Sequence, residues 1–162
     1  MIALVNPPDT GARHETRKRA PIASKMIFVN LPVADLRHAV TFYEAGGATA
    51  NPISSDDTTA CVVHSETVQT MLLTHAQFPQ SSLRRFADAR AACQALLCLS
   101  AESRAEVDGI VARAGAAGGT ADPGLKMDGG LMHGRSFEDL VGHTLGVMWT
   151  DMEAAKLAMA KD

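Results

Sequence analysis

At 162 residues with 46% apolar content, the chain suits one domain with a proper core, and it holds no apolar run of membrane-spanning length. The formal charge of −3 is uneven: residues 1–25 carry five Lys/Arg against Asp9 and Glu15, a net +3, so the rest stands near −6. An acidic body with scarce aromatics excludes a nucleic-acid-binding surface, and three cysteines without CxxC spacing exclude a disulfide frame or zinc knuckle.

Residues 1–25 read as a solvated basic arm centred on RHETRKR. They are too polar and Pro-rich for a secretory signal, so the cytoplasm is the default compartment. Residues 26–33, MIFVNLPV, predict a strand that ends at Pro32 or lies at a sheet edge. Asp35 then offers an N-cap, and Leu36, Ala39, Val40 and Tyr43 recur at the helical period until Gly46-Gly47 stops the helix. A short strand over 48–52 and two longer ones over 58–64 and 67–74, turning at Ser65-Glu66, complete a β-α-β-β-β module over 26–74.

Residues 75–93 form a connector. Module two, 94–150, repeats the pattern. It has a strand over 94–99, a capping-box sequence at Ser103 to Glu106, and a helix striped by Val107, Ile110, Val111 and Ala114. Gly118-Gly119 ends that helix, a short strand falls at 119–123, and two more cover 129–138 and 144–149. GGATANP at 46–52 and GGTADP at 118–123 are near copies at equivalent places, as in a duplicated half-domain. Residues 151–162 read as a terminal helix and tail. The expected fold is α+β: two tandem β-α-β-β-β modules forming a curled eight-stranded sheet around a cup, helices outside, with a small ligand in the concavity.

PVADLRHAVTFYEAGG in module one and GRSFEDLVGHTLGVMW in module two make residues 26–150 resemble the vicinal oxygen chelate superfamily. That group holds glyoxalase I, extradiol dioxygenases, fosfomycin-modifying enzymes and bleomycin-resistance proteins. Leu140 and Val141 depart from its usual Pro and Asp. The resemblance implies four metal-ligand positions on cup-lining strands, usually His, Glu or Gln, which would hold a divalent ion with open positions for substrate oxygens. Carried over by motif, they fall at Phe28, Leu72, Leu96 and Gly146, which have no donor atom. The reading is therefore no metal site and no cofactor, a divalent metal being the alternative.

Counting from those positions, the resemblance implies a cup wall of Phe28, Asn30, Thr70, Leu72, Thr74, Leu96, Cys98, Ser136, Gly146 and Met148. Asn30 is its main polar group, expected to be buried and to need a partner. Strand alternation separates Ser136, on the cup side, from His133 and Arg135; with that parity reversed, these two would become a base and an anion anchor. His133, Arg135 and Glu138 are the catalytic candidates. His64 and His75, at strand ends, are expected to face solvent. The implied function is binding of a small organic molecule in an apolar cup, by a homodimer, with no nucleic-acid or membrane partner. The alternative is a glyoxalase-type lyase or isomerase, or a ring-cleaving dioxygenase, using a non-standard or metal-free site.

Overall fold

The computed structural model describes residues 25–124 and 126–160; the basic arm expected over 1–25 lies outside them except for Lys25. Strand β1 (Ile27–Val33) leads into helix α1 (Leu36–Gly46), capped by Asp35, whose carboxylate accepts from the His38 amide. Gly47, at φ 111°, closes the helix in the left-handed conformation that a side chain resists. Strands β2 (Thr49–Asn51), β3 (Thr59–Val63) and β4 (Val68–Thr74) follow, giving a sheet of order β1-β4-β3-β2 with β1 parallel to β4. Pro32 sits within β1 rather than at its end, which the sheet tolerates because β1 is an edge strand.

The connector contains one short helix, α2 (Phe78–Ser81), and extends to residue 96, three residues further than expected. Module two then repeats module one. Strand β5 (Leu97–Ser100), helix α3 (Arg104–Ala116), β6 (Thr120–Ala121), β7 (Met127–Gly129), β8 (Met132–Glu138) and β9 (Thr144–Thr150) form a sheet of order β5-β9-β8-β6, with β7 also on β8. Ser103 caps α3 by accepting from the Glu106 amide, but the Glu106 carboxylate accepts from Glu102 N, one residue before the expected box partner. Gly130-Leu131 makes the β7–β8 turn, with Gly130 at φ 43°, so the strand expected over 129–138 starts at Met132. Helix α4 (Met152–Met159), capped by Asp151, ends the described chain.

The expected single eight-stranded sheet is in fact two sheets, with nine strands among the described residues. The ninth arises because Asp122, at φ 55°, breaks the strand beside β8 into β6 and β7. No ladder joins β1 to β5, and each is an outer edge of its own sheet. The modules are joined instead through one apolar core, drawn from both sheets, α1 and α3. Phe42 of α1 lies 6.0 Å from Phe137 of β8 and fits there because residue 119 is glycine: a Cβ at Gly119 would strike the Phe42 ring and the Glu138 carbonyl.

Polar ties cross the same junction. Tyr43 Oη donates to Asp139 Oδ2 at 3.0 Å, His143 Nε2 donates to the Pro32 carbonyl at 2.9 Å, and Arg113 donates to the Ala45 and Gly46 carbonyls. Among the described residues, no helix is long and apolar enough to cross a membrane.

Candidate functional site

Each sheet has one face under its own helix and one face free of helix. Register decides which residues fall where. On β1 and β4, Leu31 lies beside Leu72 and Val29 beside Thr70, facing α1; Leu72 and Thr70 are buried there. The helix-free face carries Phe28 beside Gln69 and Asn30 beside Met71. Thr70, Leu72 and Thr74, expected on the cup wall, therefore belong to the helix-covered parity. Their places on the free face are taken by Gln69, Met71 and Leu73. TVQTMLLT has adjacent leucines, so its alternation is ambiguous, and a one-residue slip turns every side chain over.

In the second sheet the expected parity matches the observed one. Cys98, Gly146 and Ser136 lie in one row across β5, β9 and β8, with Met148 in the next row, all opposite the face that puts Phe137, Leu145 and Val147 under α3. Leu96 precedes β5 and is exposed. Ser136 Oγ is buried without a hydrogen-bond partner among the described residues. Asn30, expected to be buried, is exposed, with only a long 3.4 Å contact from its amide to the Phe28 carbonyl.

Of the four metal positions that the resemblance implies, Phe28 and Gly146 lie on the helix-free faces, Leu72 is buried on the helix side and Leu96 precedes β5. Register sets Phe28 against Gln69 and Cys98 against Gly146, a phenyl ring, an amide, a thiol and no side chain. Among the described residues no group of three His, Cys, Asp or Glu could hold an ion. The donor set does not fit a divalent metal.

His133 and Arg135 point to the α3 side and are held in an ion-pair network. Arg135 grips Asp122 with two hydrogen bonds, at 2.9 and 2.6 Å, and reaches Asp108 at 2.9 Å. His133 Nε2 lies 3.1 Å from the same Asp108 carboxylate, while its Nδ1 is buried without a hydrogen bond, 3.8 Å from Asp128. Arg104 binds Asp128 and stacks over Trp149 at 5.1 Å. Every strong donor here is engaged with a carboxylate, which makes this a brace between α3 and the β6–β8 edge. Glu138, at the end of β8, has the opposite parity to His133, so the three catalytic candidates are not brought together.

The Arg135 guanidinium holds Asp122 well below the usual carboxylate range, at about 2, with help from Lys126. A depressed folded pKa contributes stability above the unfolded value that is lost as pH falls through the folded one. The Asp122 share should thus be intact above about pH 4 and fade toward pH 2. Asp122→Asn is expected to lower stability at pH 7 and to flatten its acid dependence between those limits. Urea titrations at several pH values check this, and an unchanged acid slope would show that the brace has no linked proton.

A separate cavity lies between the modules. It measures about 590 Å³ and is bounded by β1, the β3–β4 turn, β5 and the facing flanks of α1 and α3. Of the expected wall residues only Cys98 borders it. His64, expected in solvent, is half-buried on its wall: Nε2 bonds Thr70 Oγ1 at 3.0 Å, the ring packs edge-on against Tyr43, and burial lowers its pKa. His75 stays exposed, tilted against Phe86. Glu106, Ile110 and Arg113, also on the cavity wall, were visible in the sequence only as positions along a helix.

No family model matches the chain, and no curated protein matches it either. Solved structures do. Hypothetical protein SA1046 of S. aureus superposes with a TM-score of 0.65 at 23% identity, over 79% of this chain and 94% of that one. A glyoxalase/bleomycin resistance protein/dioxygenase family enzyme of Burkholderia phytofirmans PsJN gives 0.66 at 16% identity, over 78% and 98%. TnmS3, an antibiotic binding protein of Streptomyces sp. CB03234, gives 0.56 at 19% identity, over 78% and 96%. The fold is the one that solved structures of glyoxalase/bleomycin resistance/dioxygenase proteins share, as the two sequence motifs imply.

Proposed function

We propose that this protein binds a small organic molecule on the helix-free faces of its sheets, without a family-type metal ion, and that two copies of the chain together enclose the site. The observation that carries the reading is the composition of that face. Phe28 beside Gln69 and Cys98 beside Gly146 make a surface suited to an apolar guest with a few orienting polar groups, and Phe28 and Gly146, two of the implied metal positions, have no donor atom. The orphaned Ser136 hydroxyl beside Gly146 supports it, since a buried hydroxyl without a partner is a cost that a ligand or water relieves. Exposure of Phe28 (52%) on an open sheet face supports a second copy as its cover. The fold shared with an antibiotic binding protein is compatible with a binding role.

Three measurements test this. Metal analysis after incubation with Fe²⁺, Mn²⁺, Ni²⁺ and Zn²⁺ and desalting is expected to find far less than one ion per chain. Sedimentation is expected to find a dimer that Phe28→Asp dissociates, and a screen of small aromatic molecules by thermal shift should give hits that Ser136→Val weakens. One tightly held ion per chain would overturn the metal-free reading and direct work to lyase and dioxygenase assays. A monomer whose thermal-shift hits ignore Phe28 and Ser136 substitutions would remove the sheet face as the site.

A further inference from the structure

The 590 Å³ cavity between the modules shares only Cys98 with the reading above. Its volume falls within the range of small-molecule sites, and it runs along the β1 and β5 edges, bordered by residues of both faces of β5. Both modules contribute aliphatic side chains to its wall: Val29 and Val68 from the first, Leu97, Leu99 and Ile110 from the second. Two unpaired strand edges, β1 and β5, border it, so backbone groups along them need water or a guest to satisfy them.

The charges on its wall are few and ordered. Glu106 and Arg113 lie seven residues apart on α3, about 10 Å along the axis, with Ile110 between them. Glu106 is tied to the amide of Glu102 at the N-terminal end of the helix, where a negative charge is favoured. Arg113 is anchored differently. Its Nε and Nη2 donate to the Ala45 and Gly46 carbonyls at the end of α1, and among the described residues it has no carboxylate partner. The cavity therefore has a fixed cation with no countercharge, one apolar middle, and an anion at the far end. His64 adds no second cation, because burial favours its neutral form.

We propose that this inter-module cleft is a second binding site, for a small apolar monocarboxylate whose acid group pairs with Arg113 and whose hydrocarbon lies along Ile110 toward the β1–β5 seam. A dianion would lack a second cation, and a guest inserted head-first at the other end would set its carboxylate against Glu106. Because the cleft is built from both modules, an occupant also bridges them.

Decanoate serves as the probe, with decanol as its uncharged counterpart. Titration followed by methyl and backbone NMR is expected to show saturable binding of decanoate, with shifts at Val29, Val68, Leu97 and Ile110. Decanol should bind about tenfold more weakly, the worth of one charge-assisted contact. Arg113→Gln should bring the two affinities together. Ile110→Trp and Leu99→Trp, which fill the cleft from different elements, should each abolish binding of decanoate while the backbone spectrum stays that of the folded protein. Absence of saturable binding, equal affinity for acid and alcohol, or shifts confined to Met71 and Met148 on the sheet faces would each overturn the proposal. The last result would leave the sheet-face reading standing.

Discussion

Replacing Asp139 with alanine is expected to destabilise the protein by about 3–5 kcal/mol, because it strips a buried acceptor from four donors at once. Asp139 is 6% exposed. Its Oδ1 accepts from the amides of Val141, Gly142 and His143 at 2.9–3.0 Å, and its Oδ2 from Tyr43 Oη at 3.0 Å. The three amides shape the β8–β9 turn, in which Gly142 adopts φ 102°. The tyrosine ties that turn to α1 of the other module. Burial and the facing carboxylate raise the Tyr43 pKa well above its ordinary value, so the phenol stays a donor throughout the working pH range.

Tyr43→Phe removes one donor and leaves the turn intact, and should cost about 1 kcal/mol. Thermal denaturation separates the two, with Tm falling by about 10 °C or more for Asp139→Ala and by a few degrees for Tyr43→Phe. A loss below about 1 kcal/mol for Asp139→Ala would mean that the turn re-forms around water and that the junction does not depend on this carboxylate.

Leu72→Ala is the second large effect, an expected loss of about 2–5 kcal/mol from a cavity in the shared core. Leu72 is fully buried against α1, while Met71, one residue earlier on β4, faces the helix-free side and is only half-buried. Met71→Ala should therefore change stability by about 1 kcal/mol or less, and any loss of dimerisation or ligand binding should belong to it rather than to Leu72→Ala. Equilibrium unfolding of the pair in urea is the check. The reverse order, Met71 costly and Leu72 silent, would restore the alternation expected from the sequence and put Thr70 and Leu72 back on the cup wall.

These two residues show how far local pattern reaches. On β8, Phe137 is the one large apolar side chain among polar neighbours, so GRSFE declares its buried parity and sets Ser136 on the other face from His133. On β4 the adjacent Leu72 and Leu73 allow either parity, and only the position of α1 over Val62, Leu31 and Leu72 resolves it. The parity bears directly on the site, because it is Gln69, and not Thr70 or Leu72, that stands on the helix-free face beside Phe28. Likewise the sequence shows His133 and Arg135 as chemistry-bearing side chains. It does not show that Asp108, on a helix 25 residues earlier, and Asp122 engage them.

The sequence by itself determined the duplication, the helices with their caps and most of the strands. Each of these depends on contacts within a few residues: Asp35 and Ser103 at helix starts, glycines at helix ends, alternation along a strand. It also carried the fold, through two motifs and one repeat. Only the tertiary structure decided which face of β4 is covered, which ionisable groups neutralise one another, and that the sheets remain separate with a cleft between β1 and β5. Those features depend on where one module rests against the other, and that position is set by Phe42 against Phe137, Tyr43 against Asp139 and Arg113 against the end of α1. Contacts between residues so far apart in the chain leave no periodic trace in the sequence, because each depends on shape and charge that exist only after both modules have folded.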